Sequence, residues 1–97
     1  MPKIESNENA GHRERLRKRF DETGFDSFSE HEILEILLFY TNARKDTKPV
    51  AKAMLKEFGS LERVLAADLQ QLCGVPGVGE ASARLFIMLR SLMQRYN

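Results

Sequence analysis

Two glycines flank a single apolar residue in the segment Gly77-Val78-Gly79, directly after Pro76. Glycine allows tight turns that side chains would obstruct, and helical spacing of apolar residues resumes beyond Gly79, so we predict a tight turn in front of a helix. Backbone N–H groups at a helix N-terminus lie at the positive end of the helix dipole and bind anions such as phosphate. We therefore predict that Val78 points inward as an anchor and that the N–H groups around Gly79 hold one phosphate.

The predicted phosphate site continues into the first turns of the helix that follows. Its residues are Gly77, Val78, Gly79, Glu80, Ala81 and Arg84. Glu80 works against phosphate binding, because its carboxylate is repulsive in sign and itself neutralises the positive end of the helix. Arg84 lies one turn further along the helix and is predicted to offset this charge.

Charges are sorted into blocks along the chain, although the formal net charge is only +1. Residues 11–20 and residues 41–56 each carry a charge of +4, and residues 21–40 carry −6. Sorted charge produces local fields that a small net charge hides. The basic residues predicted to support attraction of a polyanion are Arg13, Arg17, Lys45, Lys48, Lys52 and Lys56. The alternative is that these blocks are solvated helix faces.

The elements that position these residues follow from the spacing of apolar residues, which is helical almost throughout the chain. No stretch alternates as a strand would. We predict an all-α fold, a compact bundle of five or six short helices over residues 11–97, preceded by a flexible leader over residues 1–10. The first of these helices is predicted to begin at His12 and to end before Gly24, which can adopt the left-handed conformation of a helix end.

Two helix starts carry a strong local signal. Ser29 and Glu32, and likewise Asp68 and Gln71, have the spacing of a capping box, in which two side chains satisfy N–H groups that the helix itself leaves unpaired. We predict a helix after each box.

Apolar side chains on the inward faces of these helices form the predicted core. Residues 33–39 are apolar nearly all round, which is typical of a central buried helix. The last helix is predicted to turn the row Ala81, Leu85, Leu89, Leu92 and Tyr96 inward. The predicted core as a whole comprises Leu16, Phe20, Leu34, Leu37, Leu38, Met54, Leu55, Phe58, Leu72, Val75, Val78, Leu85, Leu89 and Leu92.

Other titratable or nucleophilic side chains are predicted to be structural. They are His12, His31, Glu30, Glu32, Glu35 and Cys73. The two histidines are interpreted as surface residues, the three carboxylates as a solvated helix face and the cysteine as a small packing residue. No nucleophile–base pair and no cluster of metal ligands can be argued from them, so we predict that the chain is not an enzyme and needs no cofactor.

The sequence also predicts a cytoplasmic protein that does not contact a membrane. No apolar run approaches the roughly 18 residues of a membrane span, and the polar first residues do not form a signal segment. The single cysteine, Cys73, cannot form an internal disulfide, which fits a reducing compartment.

The segment around the glycines resembles the helix–hairpin–helix motif of DNA-binding proteins. An apolar helix that contains Leu72 leads into Gly–apolar–Gly at residues 77–79, and Ala83 follows four residues later. We place the motif at about residues 68–95. The resemblance implies sequence-independent contact with phosphates through the hairpin amides, and a monovalent cation on the hairpin carbonyls. Glu80 departs from the pattern, since many such hairpins carry Lys or Arg at this position.

Most of the chain is similar to the N-terminal domain of the RadC family. Matching segments occur in order at Gly11-His12-Arg13, Ser29-Glu30-His31-Glu32, Arg44-Lys45-Asp46-Thr47-Lys48-Pro49, Phe58-Gly59-Ser60-Leu61 and Gly77-Val78-Gly79. The similarity covers about residues 11–95 and implies an all-helical unit. In the family a JAB/MPN-type domain with a zinc site follows, and nothing in this chain matches it. We therefore expect either an N-terminal fragment or a protein without that domain, and the family's metallohydrolase chemistry does not transfer.

Two functions from different classes are consistent with these observations. The leading prediction is a sequence-independent DNA-binding module, linked to DNA repair or recombination, that contacts phosphates through the Gly-Val-Gly hairpin. Its partner is DNA, with a protein partner or the missing metal-binding domain as further partners. The alternative is a helical protein-interaction or structural module with no direct nucleic-acid contact. The position of the basic residues relative to residues 77–79 separates the two.

Overall fold

Six helices make up the described part of the chain. The structure is a computed structural model that describes residues 3–42 and 46–97. The helices are α1 (Lys3–Thr23), α2 (Glu30–Leu38), α3 (Lys48–Phe58), α4 (Leu61–Ala66), α5 (Leu69–Cys73) and α6 (Glu80–Tyr96). No strand occurs in these two ranges, which confirms the predicted all-α fold of five or six helices. Within the same ranges, none of the helices combines the length and the apolar character needed to cross a bilayer.

Side-chain caps define three of the helix starts. Ser29 and Glu32 form the predicted capping box at the start of α2. Asp68 and Gln71 form the second predicted box at the start of α5. The Ser60 hydroxyl accepts a hydrogen bond from a backbone N–H in the first turn of α4. Because the first N–H groups of a helix have no partner within the helix, these caps stabilise even the short α4 and α5.

The first helix begins earlier than the sequence predicted. α1 starts at Lys3 rather than at His12, so the backbone of most of the predicted leader is helical. Residues 3–10 contain neither Pro nor Gly, the two residues that most strongly interrupt a helix. The predicted end is confirmed, since α1 stops at Thr23 and Gly24 follows with a left-handed φ of 67°.

α2 is the central helix, as predicted. One face of α2 contributes Leu34 and Leu38 to the main core, which is shared with α3, α4, α5 and α6. Another face contributes Ile36, which packs with Phe39 and with Leu16 of α1 in a second, smaller cluster. α2 therefore joins α1 to the rest of the bundle.

Half of the predicted core is fully buried. The buried residues are Leu16, Leu34, Leu38, Met54, Leu72, Val75 and Val78. The partly buried residues are Leu37, Leu55, Phe58, Leu85 and Leu89. Phe20 and Leu92 were predicted wrongly, because their exposed fractions are 40% and 56%. Phe20 instead contacts Phe25 at the end of α1, with 4.7 Å between the ring centres and the rings tilted by 59°.

The inward face of α6 differs from the predicted row. The buried residues of this helix are Ser82, Ala83 and Phe86, whereas the predicted Ala81 is exposed and Tyr96 is 75% exposed. Arg90, one turn beyond Phe86, continues the inward face and donates hydrogen bonds to two carbonyl oxygens at the end of α4, at 2.9 and 3.1 Å. All residues of 91–97 are exposed, and Met93 and Gln94 line a shallow groove with Leu65 of α4.

The predicted solvated face of α2 is wrong at Glu35. This side chain is only 1% exposed, and each of its carboxylate oxygens accepts a hydrogen bond from a histidine ring. His12 Nε2 of α1 lies 2.7 Å from Oε1, and His31 Nδ1 of α2 lies 2.6 Å from Oε2. The two histidines are therefore partners of a buried carboxylate rather than free surface residues. The burial is tolerated because both oxygens are paired.

The other two carboxylates of the cluster are paired as well. Arg19 of α1 donates to both oxygens of Glu32, at 2.9 and 3.2 Å. This hydrogen-bonded guanidinium holds the pKa of Glu32 at about 2, below its ordinary value of 4.5. Glu30 accepts a hydrogen bond from the backbone N–H of Leu61 at 2.8 Å. These polar contacts fasten α2 to α1 on one side and to the start of α4 on the other.

Candidate nucleic-acid interface

A tight turn joins α5 to α6. The N–H of Val78 donates to the carbonyl oxygen of Val75 at 3.0 Å, and Pro76 and Gly77 lie between them. Proline at the second position and a glycine with φ of 90° at the third are typical of a type II turn. Val75 and Val78 are both buried, so the predicted inward anchor at Val78 is confirmed. The two valines fix the turn to the main core.

The two glycines of the hairpin have different roles. Gly77 has a positive φ, and a Cβ atom at this position would lie only 2.7 Å from Val50 Cγ2 of α3. Gly79 has an extended backbone, with φ −92° and ψ −178°, and a Cβ there would meet no atom within 4 Å. Only Gly77 is thus required by the turn itself. Gly79 leaves an open space in front of α6, and a side chain could occupy that space without strain.

The N-terminus of α6 is open to solvent. Gly79 is its N-cap residue and supplies no capping side chain, in contrast to the caps of α2, α4 and α5. Gly79, Glu80 and Ala81 are all exposed. The Glu80 carboxylate lies 3.8 Å from the Arg84 guanidinium, with both side chains more than half exposed. Glu80 and Arg84 therefore form a loose ion pair on the surface, and such pairs contribute little to the free energy of folding.

Residues that follow α2 hold the first turn of α6 in place. The Thr41 hydroxyl lies 2.7 Å from the hydroxyl of buried Ser82, and the Asn42 amide donates to the same Ser82 oxygen at 3.0 Å. These contacts were not predicted from the sequence, because about forty residues separate the partners and no local pattern marks them. They bring the C-terminal end of α2 beside the hairpin.

Helix α3 packs directly on the hairpin. Its Val50 side chain is the nearest neighbour of Gly77, and Lys56 lines a groove together with Pro76. The predicted lysines of this helix all have exposed side chains: Lys48, Lys52 and Lys56. The row therefore lies on an element that contacts the hairpin, with Lys56 at its edge. Lys45 lies outside the described residues.

The predicted arginines of α1 lie against the C-terminal end of α2. Arg13 donates to the carbonyl oxygens of Asn42 at 2.6 Å and Phe39 at 3.4 Å, and its guanidinium lies 4.5 Å from the Phe39 ring centre. Burial lowers the pKa of Arg13 below its ordinary value, although an arginine remains charged at neutral pH. Arg17 lies beside two rings, 5.6 Å from the centre of Phe39 and 5.9 Å from that of Tyr40. Both cations are thus held close to the segment that contacts α6.

The fold and the hairpin define a class of small all-helical domain in which a tight turn presents the open N-terminus of the last helix. The chain belongs to the UPF0758 family, since the family description "UPF0758 N-terminal" matches residues 8–84. This confirms the predicted membership of the RadC family, to which that description refers.

One similar curated protein is a UPF0758 protein of Fusobacterium nucleatum subsp. nucleatum. It is 46% identical to this chain over 85 residues, which cover 88% of this chain and 37% of the relative. The chain thus spans well under half the length of the relative. No solved structure matches the chain significantly.

Proposed function

We propose that this domain is a sequence-independent DNA-binding module of a protein linked to DNA repair or recombination. Residues 68–95 act as a helix–hairpin–helix motif, and one phosphate binds the backbone N–H groups at the N-terminus of α6. The observation that carries this proposal is the space in front of Gly79, where a helix of 17 residues begins without a capping side chain. Uncapped N–H groups at the positive end of a helix bind a phosphate oxygen favourably.

Basic side chains add longer-range attraction in this proposal. Lys56 of α3 lines a groove with Pro76 of the hairpin, Lys48 and Lys52 are exposed on the same helix, and cations that neutralise phosphates release counterions from DNA. Such contacts carry no sequence information, because they touch the phosphate backbone and not the base edges. The proposed module therefore binds DNA without base readout and acts as a binding unit rather than as an enzyme.

The alternative function, a protein-interaction module, is supported by a different surface. The outer face of α6 carries several large apolar side chains that contact no other helix closely enough to be buried. They are Met88, Leu92, Met93 and Tyr96, with exposed fractions between 45% and 75%. An exposed apolar face of this kind is typical of a contact with another protein.

A charge reversal at Glu80 tests the proposed function. Glu80 begins α6, and Glu62 is an exposed acidic residue in the first turn of α4, so the two are a matched pair. Glu80→Lys replaces repulsion with attraction at the proposed phosphate site, and the log–log salt slope of DNA binding should become steeper by about 0.9. Glu62→Lys makes the same change in net charge beside the C-terminal end of α6, where no phosphate contact is proposed.

The measurement is fluorescence anisotropy of labelled DNA over a salt series. The proposal expects Glu80→Lys to bind more tightly than wild type and Glu62→Lys to differ little from it. Equal gains in DNA affinity in the two variants would show that only net charge matters, and would contradict a phosphate site at the hairpin. Absence of DNA binding by wild type and Glu80→Lys alike would leave the protein-interaction module as the leading function.

A further inference from the structure

We propose that Tyr40 is a stacking platform for an unpaired base, so that single-stranded DNA is the preferred substrate class of this domain. The inference rests on the proposed function and extends it, since it concerns the bases and not the phosphates. Tyr40 directly follows the C-cap residue of α2 and is 70% exposed. An aromatic ring with this exposure contributes little to the core, and it offers a ligand the π-face that Arg17 does not cover.

The surroundings of Tyr40 suit a nucleic acid. The Arg17 guanidinium lies 5.9 Å from the centre of the Tyr40 ring, and the Arg13 guanidinium lies against the preceding Phe39. Aromatic rings beside cations are the combination by which proteins hold single strands, because the ring stacks on a base while the cation attracts the backbone. The positive charge at this surface complements DNA and does not favour a basic or purely apolar partner.

The platform lies close to the proposed phosphate site. Thr41, the next residue in the chain, has its hydroxyl 2.7 Å from that of Ser82 in the first turn of α6. With ordinary covalent dimensions, the Cα atoms of Tyr40 and Ser82 are then separated by at most about 11 Å. A single oligonucleotide can therefore reach both the open N-terminus of α6 and the Tyr40 ring.

Single strands and duplexes differ in what they can offer this ring. In a duplex the bases are paired and stacked on one another, so a protruding tyrosine finds no open base face on which to stack. Unpaired bases can be splayed out and stacked on an aromatic side chain. Stacking does not distinguish between bases, because each has a π-face, and this agrees with a module that does not read sequence.

The tyrosine content of the chain permits a direct spectroscopic test. The chain has no Trp and two Tyr, Tyr40 and Tyr96. In a Tyr96→Phe variant the intrinsic fluorescence comes from Tyr40 alone, and a short oligothymidylate should quench it on binding. In a Tyr40→Phe variant the fluorescence comes from Tyr96, which serves as the matched control. Here the same oligonucleotide should bind, because Phe also stacks, but should not quench.

Affinity measurements complete the test. Tyr40→Leu keeps an apolar side chain but removes the π-face, and it should weaken binding of oligothymidylate by about 5- to 150-fold. Its affinity for a hairpin duplex of similar length should change little. Circular dichroism checks that the variant is folded.

Three results would overturn the inference. They are equal affinity of wild type for the single strand and the duplex, unchanged affinity of Tyr40→Leu for the single strand, and equal quenching of the two single-tyrosine variants. Any of these would leave the proposed phosphate site standing if Glu80→Lys still strengthens binding. Failure of wild type to bind either DNA would remove both proposals.

Discussion

At the scale of single residues, the hairpin shows how one residue type serves two purposes. Gly77 is required by geometry, because its φ is positive and Val50 leaves no room for a side chain. Gly79 has an ordinary extended backbone and open space, so neither its conformation nor its packing requires the lack of a side chain. The spacing of the glycines predicted the turn. It could not distinguish the two roles, because the contact with Val50 depends on the packing of α3.

Glu35 is a residue whose environment the sequence did not predict. Acidic residues near a helix start are usually solvated, and the partner that explains the burial, His12, lies 23 residues away. Helical periodicity indicates which side of a helix is apolar. It carries no information about which distant side chain will satisfy a polar group on that side.

Removal of the Glu35 carboxylate should destabilise the fold strongly. Glu35→Ala leaves two histidine rings, each 35% exposed, without their shared acceptor and should lower the free energy of unfolding by about 2–3 kcal/mol. Glu35→Gln keeps an oxygen that can accept from one ring and should cost only about 1–2 kcal/mol. Urea unfolding at neutral pH measures both values. A cost below about 1 kcal/mol for the alanine variant would contradict the role given to this cluster.

At the scale of helices, α6 is the element whose inward face could not be predicted fully from the spacing of apolar residues. This helix carries apolar residues on two sides, and the row predicted to be inward includes the exposed Leu92 and Tyr96. The inward side contains Arg90, a charged residue that donates hydrogen bonds to two carbonyl oxygens at the C-terminal end of α4. The sequence alone therefore favoured the more uniformly apolar row. Residues 91–97 are all exposed, and Met93 only lines a groove with Leu65 of α4, so the predicted inward row does not continue past Leu89.

Two truncations test this orientation of α6. Phe86 is fully buried, and Phe86→Ala should lower the free energy of unfolding by about 3–5 kcal/mol. Leu92 is 56% exposed, and Leu92→Ala should change it by less than about 0.5 kcal/mol. Both are measured by urea unfolding of the two variants beside wild type. Comparable losses of unfolding free energy at the two positions would show that the row predicted from the sequence does face inward.

The contact of α1 with α2 should make stability depend on pH. Folding lowers the pKa of Glu32 from 4.5 to about 2, so the unfolded chain takes up this proton more readily than the folded protein. The stabilisation is therefore complete above pH 4.5 and is lost as the pH falls towards about 2. Glu32→Gln removes the charge while a glutamine can still complete the capping box with Ser29.

The comparison of wild type with Glu32→Gln isolates this effect. Wild type should be the more stable at neutral pH, and the difference in unfolding free energy should shrink as the pH falls below 4.5. Urea titrations at several pH values provide the measurement. A difference that stays constant over this range would mean that the Arg19 pair does not shift the titration of Glu32.

At the scale of the whole molecule, separate segments converge on one region. The hairpin, α3 and the end of α2 meet near the N-terminus of α6, with Val50 against Gly77 and Thr41 against Ser82. The all-α class, the central helix and the capped starts were predictable, because local signals and periodicity decide them. The meeting of these segments near the N-terminus of α6 was not predictable, because it depends on contacts between residues far apart in the chain.

The central claim is that a phosphate binds the open N-terminus of α6, and Gly79→Asp tests it most directly. The backbone of Gly79 resembles that of Asp68, the N-cap of α5, which has φ −86° and ψ 173°. An Asp at position 79 should therefore cap α6 and raise the free energy of unfolding by a few tenths to about 1 kcal/mol. Its carboxylate would occupy the N–H groups and repel a phosphate. Ser91→Asp, exposed and three turns further along α6, introduces the same charge as a control.

The measurement is fluorescence anisotropy of labelled DNA at one fixed salt concentration, with urea unfolding of the same samples. We expect Gly79→Asp to be at least as stable as wild type but to bind DNA more than about tenfold more weakly, while Ser91→Asp binds nearly as wild type does. A stable Gly79→Asp variant that binds DNA as tightly as Ser91→Asp would contradict the claim.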